Sequence, residues 1–357
     1  MTPMATRTPI RWRLADDDGG QPALFGDTVP GRRDLPAVEY LHVRAQRIIS
    51  RVPEGARVPF RFTINPYRGC SHACTYCFAR PTHEYLGLDG GKDFEERIVV
   101  KINAVERLRA ELADPKWAGD TIALGTNTDP YQPCEGRYRL TRGIAETLTA
   151  AGNPFSILTK STMIVRDRDV LADAAGRGLF RAAFSVGTLD EDVWRMSEPG
   201  TPAPARRLEA LSRLTDMGIP CSVLVAPILP GLSDDLDQLE EVVRAAFEAG
   251  AVSVTPIVLH LRPGVRELFM PWLQSVRPDL VDRYERLYHR RAGYAHEHHA
   301  RIAAHVQQLA DRYGGAMTSP AAARGALTLL PDGPPPGDAA RPSRWQVDQL
   351  AIDLGAA

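Results

Sequence analysis

Three of the five cysteines lie within eight positions of one another, and their spacing is the most direct indication of chemistry in the chain. Cys70, Cys74 and Cys77 form a C-x3-C-x2-C pattern within NPYRGCSHACTYCFAR. Thiols crowded in this way indicate a metal or redox site, because free cysteines that serve only packing rarely cluster. The turn residues of NPYRG would let the backbone fold around a metal group.

Three kinds of metal site compete for this pattern. A structural zinc site is tetrahedral and closed, so His72, His83 or a distant cysteine would have to supply a fourth ligand, and there is no second C-x2-C. A ferredoxin-type cluster needs C-x2-C-x2-C and a fourth thiolate, whereas Cys134 and Cys221 are isolated. The third possibility is a four-iron cluster held by three thiolates, with one iron open to a ligand that is not protein, as in catalytic metal sites.

Short apolar runs, which alternate with helical patterns, predict the strands that must position this site. Six strands are predicted, at FRFTI (60–64), TIALGT (121–126), FSILTKS (155–161), AAFSVGTL (182–189), PCSVLVAPI (220–228) and SVTPIVLHL (253–261). The runs are continuously apolar, which is typical of a parallel sheet covered on both faces. The cysteines follow the first strand directly, at the end where barrel enzymes carry their chemistry.

Helices are predicted between the strands, several of them closed by glycine, at 103–112, 142–152, 206–218 and 236–250. Strict alternation of strand and helix implies right-handed crossovers. Six units are too few for a complete eight-stranded barrel. The predicted fold is therefore α/β, a partial (β/α)6 TIM-like barrel with a helical C-terminal extension.

The composition shift along the chain predicts four regions. Residues 1–57 are predicted to be a partly ordered N-terminal leader, 58–262 the core barrel, 263–317 a helical region and 318–357 a flexible tail. The aromatic residues of the helical region are predicted to serve packing or docking. A solvated basic helix face that could contact substrate or nucleic acid is predicted to carry four histidines, His289, His296, His298 and His299.

Bulk composition excludes several classes of protein. The 357 residues carry a formal net charge of −1, which gives no global attraction to polyanions, and 44% are hydrophobic, as in ordinary globular proteins. There is no signal-peptide pattern and no apolar stretch of about 18 residues, so a cytoplasmic location is predicted. A reducing compartment would keep the cysteines as thiols or metal ligands.

Four motifs taken together resemble a known family. The cysteine motif, with an aromatic residue before its last Cys, is similar to the radical S-adenosylmethionine (radical SAM) superfamily. NPYRGCSHACTYCFAR, GTNTDPYQPCE, ILTKS and VAPILPGLSD together resemble its spore photoproduct lyase-like, or DNA repair photolyase-like, branch. The resemblance covers residues 58 to about 262 well and the helical region more loosely.

The resemblance implies a catalytic cofactor system. Cys70, Cys74 and Cys77 would ligate a 4Fe-4S cluster whose open iron binds S-adenosylmethionine. The reduced cluster would cleave S-adenosylmethionine to methionine and a 5'-deoxyadenosyl radical, which abstracts hydrogen from a substrate that the sequence does not identify; nucleic acid is one possibility. A ferredoxin or flavodoxin would supply the electron. The alternative is a metal-cluster or zinc protein with a structural or nucleic-acid-binding role.

The resemblance also assigns contacts to the cofactor. Tyr76 would lie beside the adenine, and Lys160 would contact the carboxylate. Ser185 would meet the ribose or carboxylate. The amino group would be met by Gly125, Thr126 and Asn127, and the adenine by the backbone of Ala226 and Pro227.

One departure from the branch concerns a hydrogen-donating cysteine. True spore photoproduct lyases carry this Cys in the loop after the second strand, in the region matched by GTNTDP, which has none here. Cys134, a few residues later, is the candidate catalytic substitute. Cys221 begins an apolar run and is predicted to act as a small hydrophobic residue.

Overall fold

The structure is a computed structural model, which describes residues 12–14, 26–29, 38–53, 56, 58–289, 296–314 and 316–317. The predicted tail, 318–357, lies outside the described residues. No helix among the described residues has both the length and the apolar character needed to cross a membrane.

Strands and helices alternate over most of the chain. The strands are β1 Trp12–Leu14, β2 Gly26–Val29, β3 Val38–Ala45, β4 Ile49–Arg51, β5 Phe62–Ile64, β6 Tyr67–Arg68, β7 Arg97–Lys101, β8 Ile122–Leu124, β9 Phe155–Thr159, β10 Phe180–Ser185, β11 Cys221–Ile228, β12 Ser253–Val258 and β13 Ala316–Met317. The α-helices are α1 Lys92–Glu96, α2 Ala104–Leu112, α3 Glu135–Tyr138, α4 Leu140–Ala150, α5 Arg168–Gly176, α6 Glu191–Ser197, α7 Pro204–Thr215, α8 Leu236–Glu248, α9 Arg266–Val276, α10 Val281–Leu287 and α11 His296–Arg312. Short 3-10 helices lie at Arg80–Leu86, Thr162–Asp167 and Pro278–Leu280.

The larger sheet of the described chain confirms the predicted fold class. Its order is β13-β12-β11-β10-β9-β8-β5-β4. The strands β5, β8, β9, β10, β11 and β12 match the six predicted strands, lie side by side in sequence order and pair in parallel. An antiparallel β4 flanks the first of them, and β13 extends the other edge in parallel. The arrangement is an open, partial (β/α)6 barrel.

The helices cover this sheet with apolar faces. In α8, Leu239, Val242, Val243 and Ala246 are buried, at the i, i+3, i+4 and i+7 spacing of one helical face. The helix begins because the Asp235 carboxylate accepts hydrogen bonds from the amides of residues 237 and 238. It ends at Glu248, and Gly250, which the sequence predicts to close the helix, follows two residues later with a φ of +95°.

A second sheet joins residues of the predicted leader to residues of the predicted barrel. Its path is β1-β3-β7-β6, with β2 also paired to β3. The strand β3 runs parallel to β7, with Tyr40 opposite Ile98 and Val43 opposite Lys101. The six-strand prediction contains neither β3 nor β7. Tyr40, Ile98 and Val100 are buried in the apolar cluster between this sheet and neighbouring segments.

The C-terminal region is helical in its described part, and its aromatic residues serve packing. The Phe269 and Tyr284 rings lie 5.4 Å apart, and those of Tyr284 and Tyr288 lie 5.8 Å apart. All three rings are buried. Residues 290–295, inside the predicted basic histidine face, lie outside the described residues.

Lys101, at the end of β7, gives the fold a testable pH dependence. Its buried ammonium donates to the Asn65 carbonyl oxygen at 2.8 Å. Burial and the nearby Arg68 charge lower the pKa of Lys101 from 10.5 to about 7, against the opposing Glu111 carboxylate. Between these pH values the unfolded chain holds a proton that the folded chain lacks, so this lysine makes the free energy of unfolding rise with pH.

We expect Lys101→Met, which cannot titrate, to lose this contribution. As pH rises from about 7 to 9.5, the free energy of unfolding of the wild type should increase relative to that of the variant. Urea denaturation across this range measures the difference. Lys92→Met is the matched control, because the Lys92 side chain is 78% exposed and should show no such change. Parallel pH profiles for wild type and Lys101→Met would contradict the assignment.

Candidate functional site

The three clustered cysteines lie on one loop at the carboxyl end of the first barrel strand. This cysteine loop, residues 69–79, connects β6 to the 3-10 helix that begins at Arg80. Cys70 and Cys74 are buried, Cys77 is half-buried, and all three are free thiols. The loop coils because the amides of Ala73 and Cys77 donate to the carbonyl oxygens of Cys70 and Cys74, each at 3.2 Å. All three cysteines therefore lie on two consecutive tight turns of one short loop.

The surroundings of Cys70 and Cys74 make these two thiols costly to ionise without a compensating positive charge. Burial, the Asp129 carboxylate and the neighbouring thiols raise the pKa of Cys70 well above its ordinary value. Burial raises the pKa of Cys74 to about 12, despite the Lys160 ammonium. A bound metal cluster would supply the missing positive charge. Three free thiols on one buried loop thus fit a cluster as a donor set. Among the described residues, no three His, Cys, Asp or Glu side chains group as ligands of a single metal ion.

The cysteine loop is anchored on two sides by backbone and arginine contacts. On one side, the Cys70 amide donates to the carbonyl oxygen of Phe94 in α1 at 2.8 Å. The Arg80 guanidinium reaches back to the Cys74 carbonyl oxygen at 2.9 Å. From the segment after the last barrel strand, Arg262 donates to the Phe78 carbonyl oxygen at 2.6 Å.

The segment after β8 approaches the loop with a polar backbone and one orphaned hydroxyl. Gly125 has a φ of +83°, and a Cβ there would overlap the Leu158 carbonyl oxygen, so only glycine fits. The Thr126 hydroxyl is buried and has no hydrogen-bond partner among the described residues. The Asn127 amide donates to the Asn65 side chain at 3.3 Å. An unpaired buried hydroxyl is costly, which makes Thr126 a ready contact for a polar ligand.

The next three barrel strands are linked at their ends by a short chain of hydrogen bonds. The Lys160 ammonium, just after β9, donates to the Ser185 hydroxyl at 2.9 Å. The Ser185 hydroxyl, at the end of β10, donates to the Ala226 carbonyl oxygen in β11 at 2.7 Å. The peptide bond between Ala226 and Pro227 is cis. The same ammonium lies 5.7 Å from the centre of the Tyr76 ring on the cysteine loop.

Two residues connect these parts: Asp129, which the sequence prediction missed, and His72, which it named only as a candidate zinc ligand. The Asp129 carboxylate accepts hydrogen bonds from the Thr159 hydroxyl and the Lys160 amide, both at 2.7 Å. The buried His72 ring nitrogen Nδ1 lies 3.4 Å from the same carboxylate. Burial and the charges of Arg207 and Lys160 lower the pKa of His72, although Asp129 opposes them. One carboxylate therefore links the loops after β5, β8 and β9.

Glu198 and Arg207 are the second pair that the prediction missed. The buried Glu198 carboxylate accepts hydrogen bonds from the Tyr76 hydroxyl and the Arg207 guanidinium. Burial disfavours its charge, but Arg207, Lys160 and the Tyr76 hydroxyl outweigh burial and lower the pKa of Glu198. A signal for Arg207 exists in the sequence: it occupies the apolar face of α7, at i+3 from Pro204 and i−4 from Leu211.

The two remaining cysteines are buried among apolar side chains. Cys134 is 2% exposed and packs with Tyr40, Tyr67 and Ile98 beside the second sheet. Burial and the adjacent Glu135 carboxylate raise its pKa well above the ordinary value, which is unlike an activated thiol. Cys221 is buried in β11, consistent with a small hydrophobic residue. A catalytic role for Cys134 stays a prediction.

Comparison with known proteins identifies similar sequences and folds. The Radical SAM superfamily model matches residues 64–256, more than half of the chain. An uncharacterized protein of Mycobacterium tuberculosis strain H37Rv is 45% identical over 277 residues, which cover 77% of this chain and 82% of that protein. Spore photoproduct lyase complexed with dinucleoside spore photoproduct has a TM-score of 0.57 at 17% identity, covering 79% of this chain and 81% of that one. A spore photoproduct lyase mutant with bound AdoMet and dinucleoside spore photoproduct has a TM-score of 0.54 at 19% identity, covering 73% and 76%. At these identities the likeness to the lyase is one of fold.

Gly125 supplies a test of how tightly the strand ends are packed. Gly119→Ala adds a methyl at a φ of +75° with no atom within 4 Å, so it should cost only the backbone strain, about 1–2 kcal/mol. Gly125→Ala pays a similar strain and also collides with the Leu158 carbonyl oxygen, so we expect roughly 1–3 kcal/mol more. Urea denaturation of the two variants measures the difference. Equal losses would show that the approach of Gly125 to β9 is loose.

Proposed function

Since the chain belongs to the radical SAM superfamily and is therefore a radical SAM enzyme, we propose that Cys70, Cys74 and Cys77 hold its 4Fe-4S cluster. The supporting observation is the convergence at one end of the barrel. The buried cysteine loop, Lys160 and Ser185 meet there through the contacts of Tyr76 with Lys160 and of Lys160 with Ser185. Three thiolates leave one iron for a ligand that is not protein.

S-adenosylmethionine would lie among the polar groups at the strand ends. The Lys160 ammonium lies 5.7 Å from the centre of the Tyr76 ring on the cysteine loop, and its positive charge is suited to bind a carboxylate. The orphaned Thr126 hydroxyl can accept from an ammonium group. The remaining proposed contacts with the cofactor come from Tyr76, Gly125, Asn127, Ser185, Ala226 and Pro227.

The bound cluster would supply the electron that cleaves S-adenosylmethionine, and the 5'-deoxyadenosyl radical so formed would abstract hydrogen from substrate. The chain itself contributes position and shelter. Tyr76, Cys70 and Cys74 are buried, so water has little access to this part of the site. Exclusion of water and of stray donors protects a reactive radical from side reactions. A ferredoxin or flavodoxin is the proposed electron donor.

The Cys74→Ala variant tests the assignment of the ligands. Loss of one of three thiolates should abolish the brown colour of anaerobically reconstituted protein and the release of 5'-deoxyadenosine from S-adenosylmethionine under dithionite. The fold should persist, because the substitution removes a single sulfur atom from the large apolar core to which Cys74 belongs. Iron content, the visible spectrum and chromatographic assay of 5'-deoxyadenosine measure these effects.

Cys221→Ala is the matched control, because it removes a buried thiol from β11, away from the cysteine loop. This variant should keep the cluster and the cleavage. A Cys74→Ala protein that keeps its brown colour and still releases 5'-deoxyadenosine would contradict the ligand assignment. Wild-type protein that binds zinc and releases no 5'-deoxyadenosine would favour the structural alternative.

Nucleic acid is the first substrate class that we propose to test. The spore photoproduct lyase structure with a similar fold carries a dinucleoside spore photoproduct. An oligonucleotide deuterated in its sugars and bases, incubated with the reconstituted enzyme, should transfer deuterium into 5'-deoxyadenosine. Mass spectrometry detects the transfer. Release of unlabelled 5'-deoxyadenosine alone would exclude this oligonucleotide while leaving the radical chemistry in place.

A further inference from the structure

A short segment, which runs from the last residue of α6 into the connection to α7, is packed directly against the cysteine loop. This segment, residues 197–201, accepts a hydrogen bond from the Thr75 amide through the Ser197 carbonyl oxygen, at 3.0 Å. Its Gly200 amide donates to the His72 carbonyl oxygen, also at 3.0 Å. A Cβ at Gly200 would overlap the Ser71 carbonyl oxygen, so the two backbones approach as closely as glycine permits.

Glu198 lies in the middle of this segment and meets groups from three other elements. Its carboxylate accepts the hydroxyl of Tyr76 on the cysteine loop and the guanidinium of Arg207 on α7. It also lies 4.0 Å from the Lys160 ammonium at the end of β9. Tyr76 and Lys160, both proposed contacts of the cofactor, therefore share the Glu198 carboxylate.

The partners of Glu198 are themselves fixed. Arg207 is fully buried, and it donates to the Ser185 carbonyl oxygen at 2.9 Å and to the Thr201 hydroxyl at 2.6 Å. The Thr201 hydroxyl also accepts from the Trp194 indole at 2.9 Å. A buried carboxylate is tolerated only when it is paired and hydrogen-bonded in this way. The network is thus rigid, and its geometry is set by several elements rather than by one.

We propose that Glu198 is a positioning residue, which holds the Tyr76 ring and the Lys160 ammonium in place beside the cysteine loop for the binding of S-adenosylmethionine. This inference rests on the proposed function. An ammonium has three donors, and Ser185 and Glu198 occupy only part of that capacity. Ser185 and Glu198 therefore hold the Lys160 side chain and leave one of its N–H donors for the cofactor carboxylate.

The Glu198→Gln variant of the full chain tests the proposal. In anaerobically reconstituted protein it should keep wild-type iron content but bind S-adenosylmethionine about tenfold more weakly by equilibrium dialysis, because the neutral amide no longer holds Lys160. In metal-free protein, hydrogen exchange of peptides spanning residues 69–79 should be faster than in wild type. Glu191→Gln is the matched control, since the Glu191 side chain is exposed and pairs only at the surface with Arg195. It should match wild type in both measurements.

Tyr76→Phe keeps the proposal testable if Glu198→Gln fails to fold, because it leaves the Glu198–Arg207 pair intact. It should retain iron and weaken S-adenosylmethionine binding severalfold. Where both variants fold, the double variant should weaken binding by less than the product of the single effects, because the two residues act through one contact. Normal affinity in either folded variant, with lowered stability alone, would overturn the positioning role. Failure of the wild type to bind S-adenosylmethionine would instead overturn the proposed function.

Discussion

The fold must keep three thiols together on one loop, two of them in buried surroundings that oppose their ionisation. Burial raises the pKa of Cys70 and Cys74, so the loop cannot rely on solvent to stabilise the charges that ligation requires. Rigid support from the protein is the alternative. The Phe94 carbonyl oxygen of α1 holds the loop at Cys70, Arg80 and Arg262 hold its carbonyl oxygens, and residues 197–201 pack along its backbone. Each support comes from a different part of the chain.

The parallel sheet explains why distant residues share one site. Its six central strands all point the same way, so Gly125, Lys160, Ser185 and Ala226 emerge at or near a common edge although about a hundred residues separate the first from the last. The carboxylates of Asp129 and Glu198 then connect neighbouring loops across that edge. The regular order of the strands brings these residues close together, and the buried ion pairs then fix their side chains in place.

Local patterns in the sequence predicted what local interactions determine. The six barrel strands are continuous apolar runs, and the cysteine spacing is a property of eight consecutive residues, so both could be found without the structure. The second sheet could not, because β3 and β7 are stabilised by each other across more than fifty residues of chain. Glu198 was missed for a similar reason. Its local sequence, SEPG, predicts an exposed turn, and only contacts with Tyr76 and Arg207 bury it. The sequence signal for the Glu198 network was Arg207, a charged residue on the apolar face of α7.

Because of the second sheet, the cooperative folding unit of this protein begins before the residues that the family model matches. The superfamily match starts at residue 64, which suggests that the residues before it do not belong to the core fold. Yet β3 backs β7, and β7 in turn pairs with β6, the two residues from which the cysteine loop departs. A fragment trimmed to the matched residues would leave Ile98 and Val100 without the strand that borders them. The strand β3, which precedes the barrel, therefore supports the cysteine loop through β7 and β6, and the start of the family match is not a boundary of folding.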